Sequence, residues 1–173
     1  MSTTTAHAPA RERNQAAWRT AAELLYAGRL EEFLDRWVPE GRYEVAYPIG
    51  DVPPAVQGRD ALRALFAGFG AAVTAIAVHD VRFHQTDDPD VVFVEERMVA
   101  ELADGGRYEN RLAIRVTFRD GRIAEMFEYY GEAAHERMLR RGGVGAGCPA
   151  GGPGRRAAGV PAPARSASSR RAR

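Results

Sequence analysis

A single cysteine, Cys148, in 173 residues excludes an internal disulfide and a cysteine-built metal site. Lysine is absent, so every basic side chain is an arginine. No apolar run approaches the ~18 residues that cross a bilayer, which excludes a transmembrane helix. Met1 to Ala10 lack the basic start and apolar stretch of a secretory signal, and the expectation is a cytoplasmic protein. There is no glycine-rich phosphate loop, and no His/Asp/Glu set has the spacing of metal ligands. Neither a cofactor nor a metal is expected.

The remaining composition is that of a globular domain, with 45% hydrophobic and 27% charged residues. The net charge of +1 hides a split. From Arg141 to Arg173 there are seven arginines and no acid, which leaves the rest of the chain at −6. Gly, Pro, Ala, Ser and Arg dominate from Gly142 onward, and such a segment cannot offset its ordering entropy by burial. Residues 142–173 therefore read as a disordered tail, 12–141 as one domain and 1–11 as a flexible arm. No specific nucleic-acid or membrane partner follows from a basic tail on an acidic body.

Trp18, Ala21, Ala22 and Leu25 recur at helical spacing, and Gly28 is a natural stop. Leu30, Phe33, Leu34 and Trp37 predict a second helix ended by Pro39. A short strand is expected over 42–47, then a Pro/Gly-rich loop, then a third helix from Arg59 carrying Leu62, Leu65, Phe66 and Phe69. Beyond Gly70 the period changes to β-type runs. Strict alternation over 107–119 puts Tyr108, Asn110, Leu112, Ile114, Val116 and Phe118 on one face. Asp104-Gly105 and Asp120-Gly121 mark hairpin turns on either side. A last strand runs over 122–130, and a short helix follows through Arg140. Helices must cover the apolar face of such a sheet. The fold class is α+β: a curved, mainly antiparallel sheet wrapped by three helices into a cone with a central pocket.

Three stretches carry a resemblance. HisAspValArgPheHisGlnThrAspAspProAsp (79–90), TyrGluAsn (108–110) and AspGlyArgIleAlaGluMetPheGluTyrTyrGly (120–131) are similar to the SnoaL-like group of the nuclear transport factor 2-like superfamily. The loop 47–62 also resembles that superfamily's pattern, and the likeness spans roughly residues 12–140. The motifs lie nearest the phenazine-biosynthesis A/B proteins, whose acid/base glutamate maps onto Glu128; Asn110 matches as well, whereas their pocket histidine falls nearest Ala75. In ketosteroid isomerases the base maps onto Tyr47 and the oxyanion donors onto Ala21 and Ile114, which lack the required groups. In limonene-epoxide hydrolases the arginine of the relay maps onto Arg97 and one acid onto Glu128, but the other acid falls on Val99 and the water-holding asparagine on Ile49.

Alternation places Ala124, Met126, Glu128 and Tyr130 on one face of the last strand, and the resemblance turns that face inward. A desolvated carboxyl there has a raised pKa and serves as a general acid or base near neutrality. Tyr108 and Asn110, on the buried face of their strand, are the groups to hold a carbonyl or its enolate. His79 alternates with Val81 and Phe83 and should face inward. Either Glu96 or Arg97 points into the cone. The candidate catalytic residues are thus Glu128, Asn110 and Tyr108, with Tyr47, His79, Glu96, Arg97, Met126 and Tyr130 as substrate contacts. The resemblance implies cofactor-free acid/base chemistry, of cyclase, isomerase or dehydratase type, on a small aromatic or polyketide-like metabolite. It also implies a homodimer. A non-catalytic binding domain with the same pocket is the second reading. A dimerisation module is the third, its outer arginines (Arg107, Arg111, Arg115, Arg119) meeting acids of a second copy.

Overall fold

The computed structural model describes residues 7–48 and 53–142. Helix α1 spans Ala8–Tyr26 and α2 spans Leu30–Leu34. Strand β1 (Trp37–Val45), the short β2 (Ala55–Gln57) and helix α3 (Arg59–Ala72) follow. Four long strands come next, β3 (Val73–His84), β4 (Val91–Leu102), β5 (Arg107–Arg119) and β6 (Arg122–Tyr130), and α4 (Glu132–Gly142) closes the described chain. The six strands form one sheet in the order β2-β1-β6-β5-β4-β3. The β1/β6 pair is parallel, and every other pair is antiparallel. The α+β class is therefore as expected.

Helix α1 begins at Ala8, inside the stretch expected to be a loose arm. Pro9 in its first turn is preset for a helix start. Arg11 donates to the carbonyl of Thr86 at 2.7 Å, and Asn14 to the carbonyl of Pro89 at 3.0 Å and to Asp90 Oδ1 at 3.1 Å. These bonds tie the first turns to the β3–β4 loop, and Asn14 is fully buried. The expected tail lies outside the described residues beyond Gly142, as does Ile49.

Trp37 does not close the second helix. It opens β1, because Pro39 disfavours a helical Val38 before it and cannot donate within a helix. Its ring instead joins an aromatic cluster. Phe33 and Phe66 meet edge-on at 5.0 Å, and Tyr43 and Phe66 at 5.5 Å. Trp18, Ala21, Leu62, Val94, Ile114 and Val116 complete the core between the helices and the concave face of the sheet.

Two irregularities reset which residues face that core. In β3, His79 pairs with Arg97 and Arg82 with Glu95, so Asp80 and Val81 together oppose Glu96. Asp80 adopts a left-handed conformation (φ 57°), which a non-glycine residue reaches at a bulge. Counting in twos from Phe83 therefore fails. Ile76, Val78 and Phe83 are partly covered, whereas His79 and Val81 are exposed. The inward placement of His79 is thus corrected. In β6, the register shifts between Thr117 and Phe118, so Ile123 rather than Ala124 shares the buried face with Met126.

Candidate active site

The concave face collects polar groups where β1, β4, β5 and β6 run side by side. Glu128 follows Met126 by two residues on β6, and Val45 of β1 is its parallel neighbour. Tyr43, two residues earlier on β1, donates its hydroxyl to Glu128 Oε2 at 2.5 Å. Glu128 is half-buried. Burial pushes its carboxyl up to about 7 and the charge of Glu96 adds to that, while the Tyr43 hydrogen bond pulls the other way. Tyr43 itself is held well above the usual phenol value, chiefly by burial and then by Glu128.

Glu96 is buried on β4, at 4% exposure. That settles the open alternative. Arg97 lies on the other face, bound to Asp80 at 3.2 Å and Glu109 at 3.1 Å. Glu96 Oε1 accepts a short hydrogen bond from the hydroxyl of Tyr26, the last residue of α1. Burial raises the Glu96 carboxyl, and the Tyr26 bond partly offsets it.

Tyr108 and Asn110 are both buried on β5. The Asn110 amide is fully committed. Its nitrogen donates to Tyr108 Oη at 2.8 Å and to the Gly131 carbonyl at 3.1 Å. Its oxygen accepts from the backbone N–H of Arg111 and of Gly131, both at 2.9 Å. Asn110 therefore anchors the turn into α4 and orients Tyr108, rather than presenting a free amide. Tyr108 keeps its own O–H to donate, and burial holds that phenol protonated.

Met126 and Tyr130 are buried as expected. Tyr130 donates to the main-chain carbonyl of Tyr47 at 2.9 Å. The Tyr47 side chain, in contrast, is 54% exposed, so this residue borders the site through its backbone. The reason is positional: β1 ends at Val45, and Tyr47 stands beyond the ladder.

Three groups were missed by sequence reasoning. Tyr26 continues the helical stripe of Trp18 and Ala22 at four-residue steps, and Tyr43 sits two residues before Val45 on the buried face of β1; both signals were present. His135 had no such signal. It stacks on Tyr130 at 4.4 Å and meets Tyr108 edge-on at 6.3 Å, and burial lowers its pKa.

The opposite face of the sheet is ionic. Arg107 pairs with Glu109 at 3.4 Å, Arg115 with Glu125 at 2.5 Å, and Arg119 with Glu40. Three of the four outer arginines thus find acids within their own chain. A groove of about 420 Å³ is bordered by Asp80, Arg82, Glu95, Arg111 and Tyr129, and also by Glu96, Leu112, Ala113 and Tyr130. Among the described residues no group of three or more His, Cys, Asp and Glu could hold a metal ion, and no helix is long and apolar enough to cross a membrane.

The SnoaL-like domain family matches residues 18–126, which hold every strand but the last few residues of β6. The chain belongs to the SnoaL-like family. Solved structures agree on the fold. A phenazine biosynthesis-related protein from Pseudomonas aeruginosa is 17% identical, covers 91% of this chain and 99% of its own, and has a TM-score of 0.65. PrhC from Penicillium brasilianum is 13% identical over 80% of this chain and 95% of its own, with a TM-score of 0.67. The epoxide hydrolase/cyclase-like enzyme SalBIII, of pyran ring formation in the polyether salinomycin, is 15% identical over 71% and 94%, with a TM-score of 0.61. Identities this low show shared architecture alone. No curated protein matches the chain.

Proposed function

We propose that this SnoaL-like protein is a cofactor-free acid/base enzyme acting on a small aromatic or polyketide-like molecule, with Glu128 as the group that moves the proton. The observation that carries this reading is the Glu128 carboxyl. It is half-buried, held by the Tyr43 hydroxyl at 2.5 Å, and poised at about 7. A carboxyl titrating near the working pH exists in both forms and transfers a proton at little cost in either direction. Tyr108 complements it with an O–H that stays protonated and is oriented by Asn110. Such a donor polarises a carbonyl oxygen and stabilises the enolate that follows. Cyclisation, isomerisation and dehydration of carbonyl compounds all draw on this pair of functions.

One of the similar proteins belongs to pyran ring formation and another is related to phenazine biosynthesis, which supports a biosynthetic setting for the site. A homodimer in the cytoplasm belongs to the same reading. Native mass spectrometry of gently purified protein, followed by denaturation, reports both subunit number and any retained small molecule. Once a retained molecule names the substrate class, Glu128→Gln tests the role. Turnover should fall by about 100-fold or more with binding preserved. Undiminished turnover in Glu128→Gln refutes the assignment.

A further inference from the structure

Glu96 and Glu128 lie on the same concave face of the sheet, in rows two residues apart. Glu96 shares its row with Leu112 and, beyond it, Tyr130, whereas Glu128 shares its row with Ile114 and Val94. Only β5 lies between their strands. Two strand spacings, about 10 Å, and an offset of two residues along the strands, about 7 Å, separate their backbone positions. Each carboxyl receives one phenolic hydrogen bond from a different element, Tyr26 of α1 to Glu96 Oε1 and Tyr43 of β1 to Glu128 Oε2. The remaining oxygens, Glu96 Oε2 and Glu128 Oε1, have no hydrogen-bond partner among the described residues, and neither is sealed from solvent.

No described cation compensates Glu96. Arg97 beside it in sequence is turned to the other face and occupied by Asp80 and Glu109. A carboxyl buried without a cation is costly, and a leucine at the same place would serve packing better. Two such carboxyls, each with one oxygen left open, form an arrangement for moving two protons.

We propose that Glu96 is a second catalytic residue, taking a proton from carbon while Glu128 gives one to oxygen, and that the substrates are enolisable carbonyl compounds. This rests on the reading of Glu128 as the proton-moving group. The C–H bond beside the carbonyl breaks and its electron pair becomes the C=C bond of an enol. The carbonyl π pair moves to oxygen, which takes the proton of Glu128, while Glu96 keeps the proton from carbon. Return of a proton to the same carbon exchanges it, and return to a conjugated carbon isomerises the molecule. The balance needs no oxidant and no second reactant. Burial raises both carboxyls, and the charge of Glu96 adds to the rise at Glu128, so the two are coupled and act as a pair.

The test is deuterium uptake at the benzylic α-carbon of 2-tetralone in D2O, followed by NMR across pH. Wild type should accelerate exchange with a bell-shaped profile, its acid limb from Glu96 and its alkaline limb from Glu128 near 7. Glu96→Gln and Glu128→Gln should each lose about 100-fold. Tyr26→Phe keeps both carboxyls and removes the hydrogen bond that lowers Glu96, so the acid limb should move to higher pH. This second variant decides the matter if Glu96→Gln fails to fold, since a purely structural Glu96 leaves that limb in place. Wild-type rates in Glu96→Gln, or an unmoved limb in Tyr26→Phe, overturn the role of Glu96 and leave Glu128 standing. Wild type without acceleration overturns the Glu128 reading for carbonyl substrates, and the Glu96 proposal with it.

Discussion

Replacing Glu128 by glutamine should make the protein more stable above neutral pH and no more stable in acid. The folded carboxyl titrates at about 7, against 4.5 for an ordinary glutamate. Between those values the folded state holds a proton that the unfolded state has released. Folding stability therefore falls as pH rises through that interval, and the loss is complete above the folded value. At about 1.4 kcal/mol per pH unit the interval corresponds to about 3 kcal/mol, an upper figure because Glu128 is half-buried rather than sealed. Glutamine has no proton to lose and keeps an oxygen to accept from Tyr43. Urea denaturation of wild type and Glu128→Gln at pH 4.5 and pH 8.5 measures both arms. The two should coincide in acid, and the variant should gain up to about 3 kcal/mol in base, or roughly 10 °C in Tm for a domain of this size. Equal stabilities at pH 8.5 would refute the claim that the Glu128 carboxyl is desolvated, and with it the physical basis of the role proposed for it.

Tyr43→Phe removes the hydrogen bond that favours the ionised form, so Glu128 should titrate above 7 by carbon-detected NMR; an unchanged or lower value contradicts the geometry. Gly131→Ala would set a Cβ 2.7 Å from Asn110 Oδ1. Displacing that amide sacrifices at least two hydrogen bonds, and thermal unfolding should show a loss of about 2 kcal/mol together with a weakened hold on Tyr108. Asp80→Val forces a β-branched residue into a left-handed conformation and breaks the pair with Arg97, at a cost of about 2 kcal/mol, whereas Asp80→Gly should cost less than 1 kcal/mol.

The sheet was legible in outline because β5 alternates without interruption and is flanked by two Asp-Gly turns. The inward placement of Tyr108 and Asn110 followed from that alternation. The face of β3 was not legible, because one left-handed residue at Asp80 inserts an extra position, and nothing in ValHisAspValArgPhe marks where it falls. His79 was misplaced for that reason alone. Glu96 and Arg97 could not be separated on paper, since adjacent residues on a strand exchange faces with any shift of register. Asn110 was found at the right place but with the wrong task. Its type suggested a ligand contact, whereas its four bonds are spent on the Gly131 turn and Tyr108. The inward face of Glu128 was taken from a resemblance, but its partner Tyr43 was passed over. The pairing of β1 with β6 is parallel and long-range, and no local pattern announces it.

That parallel pairing has a kinetic side. The Tyr43–Glu128 bond closes a loop of 85 positions along the chain, and Tyr26–Glu96 closes one of 70. Closing loops this long costs ordering entropy, which the local hairpins of β3 to β6 do not have to meet. A nascent or partly unfolded chain therefore has its carboxyls fully hydrated and chemically ordinary. Their altered acidity requires both ends of the domain to have docked, so the titration of these carboxyls reports that the fold is complete.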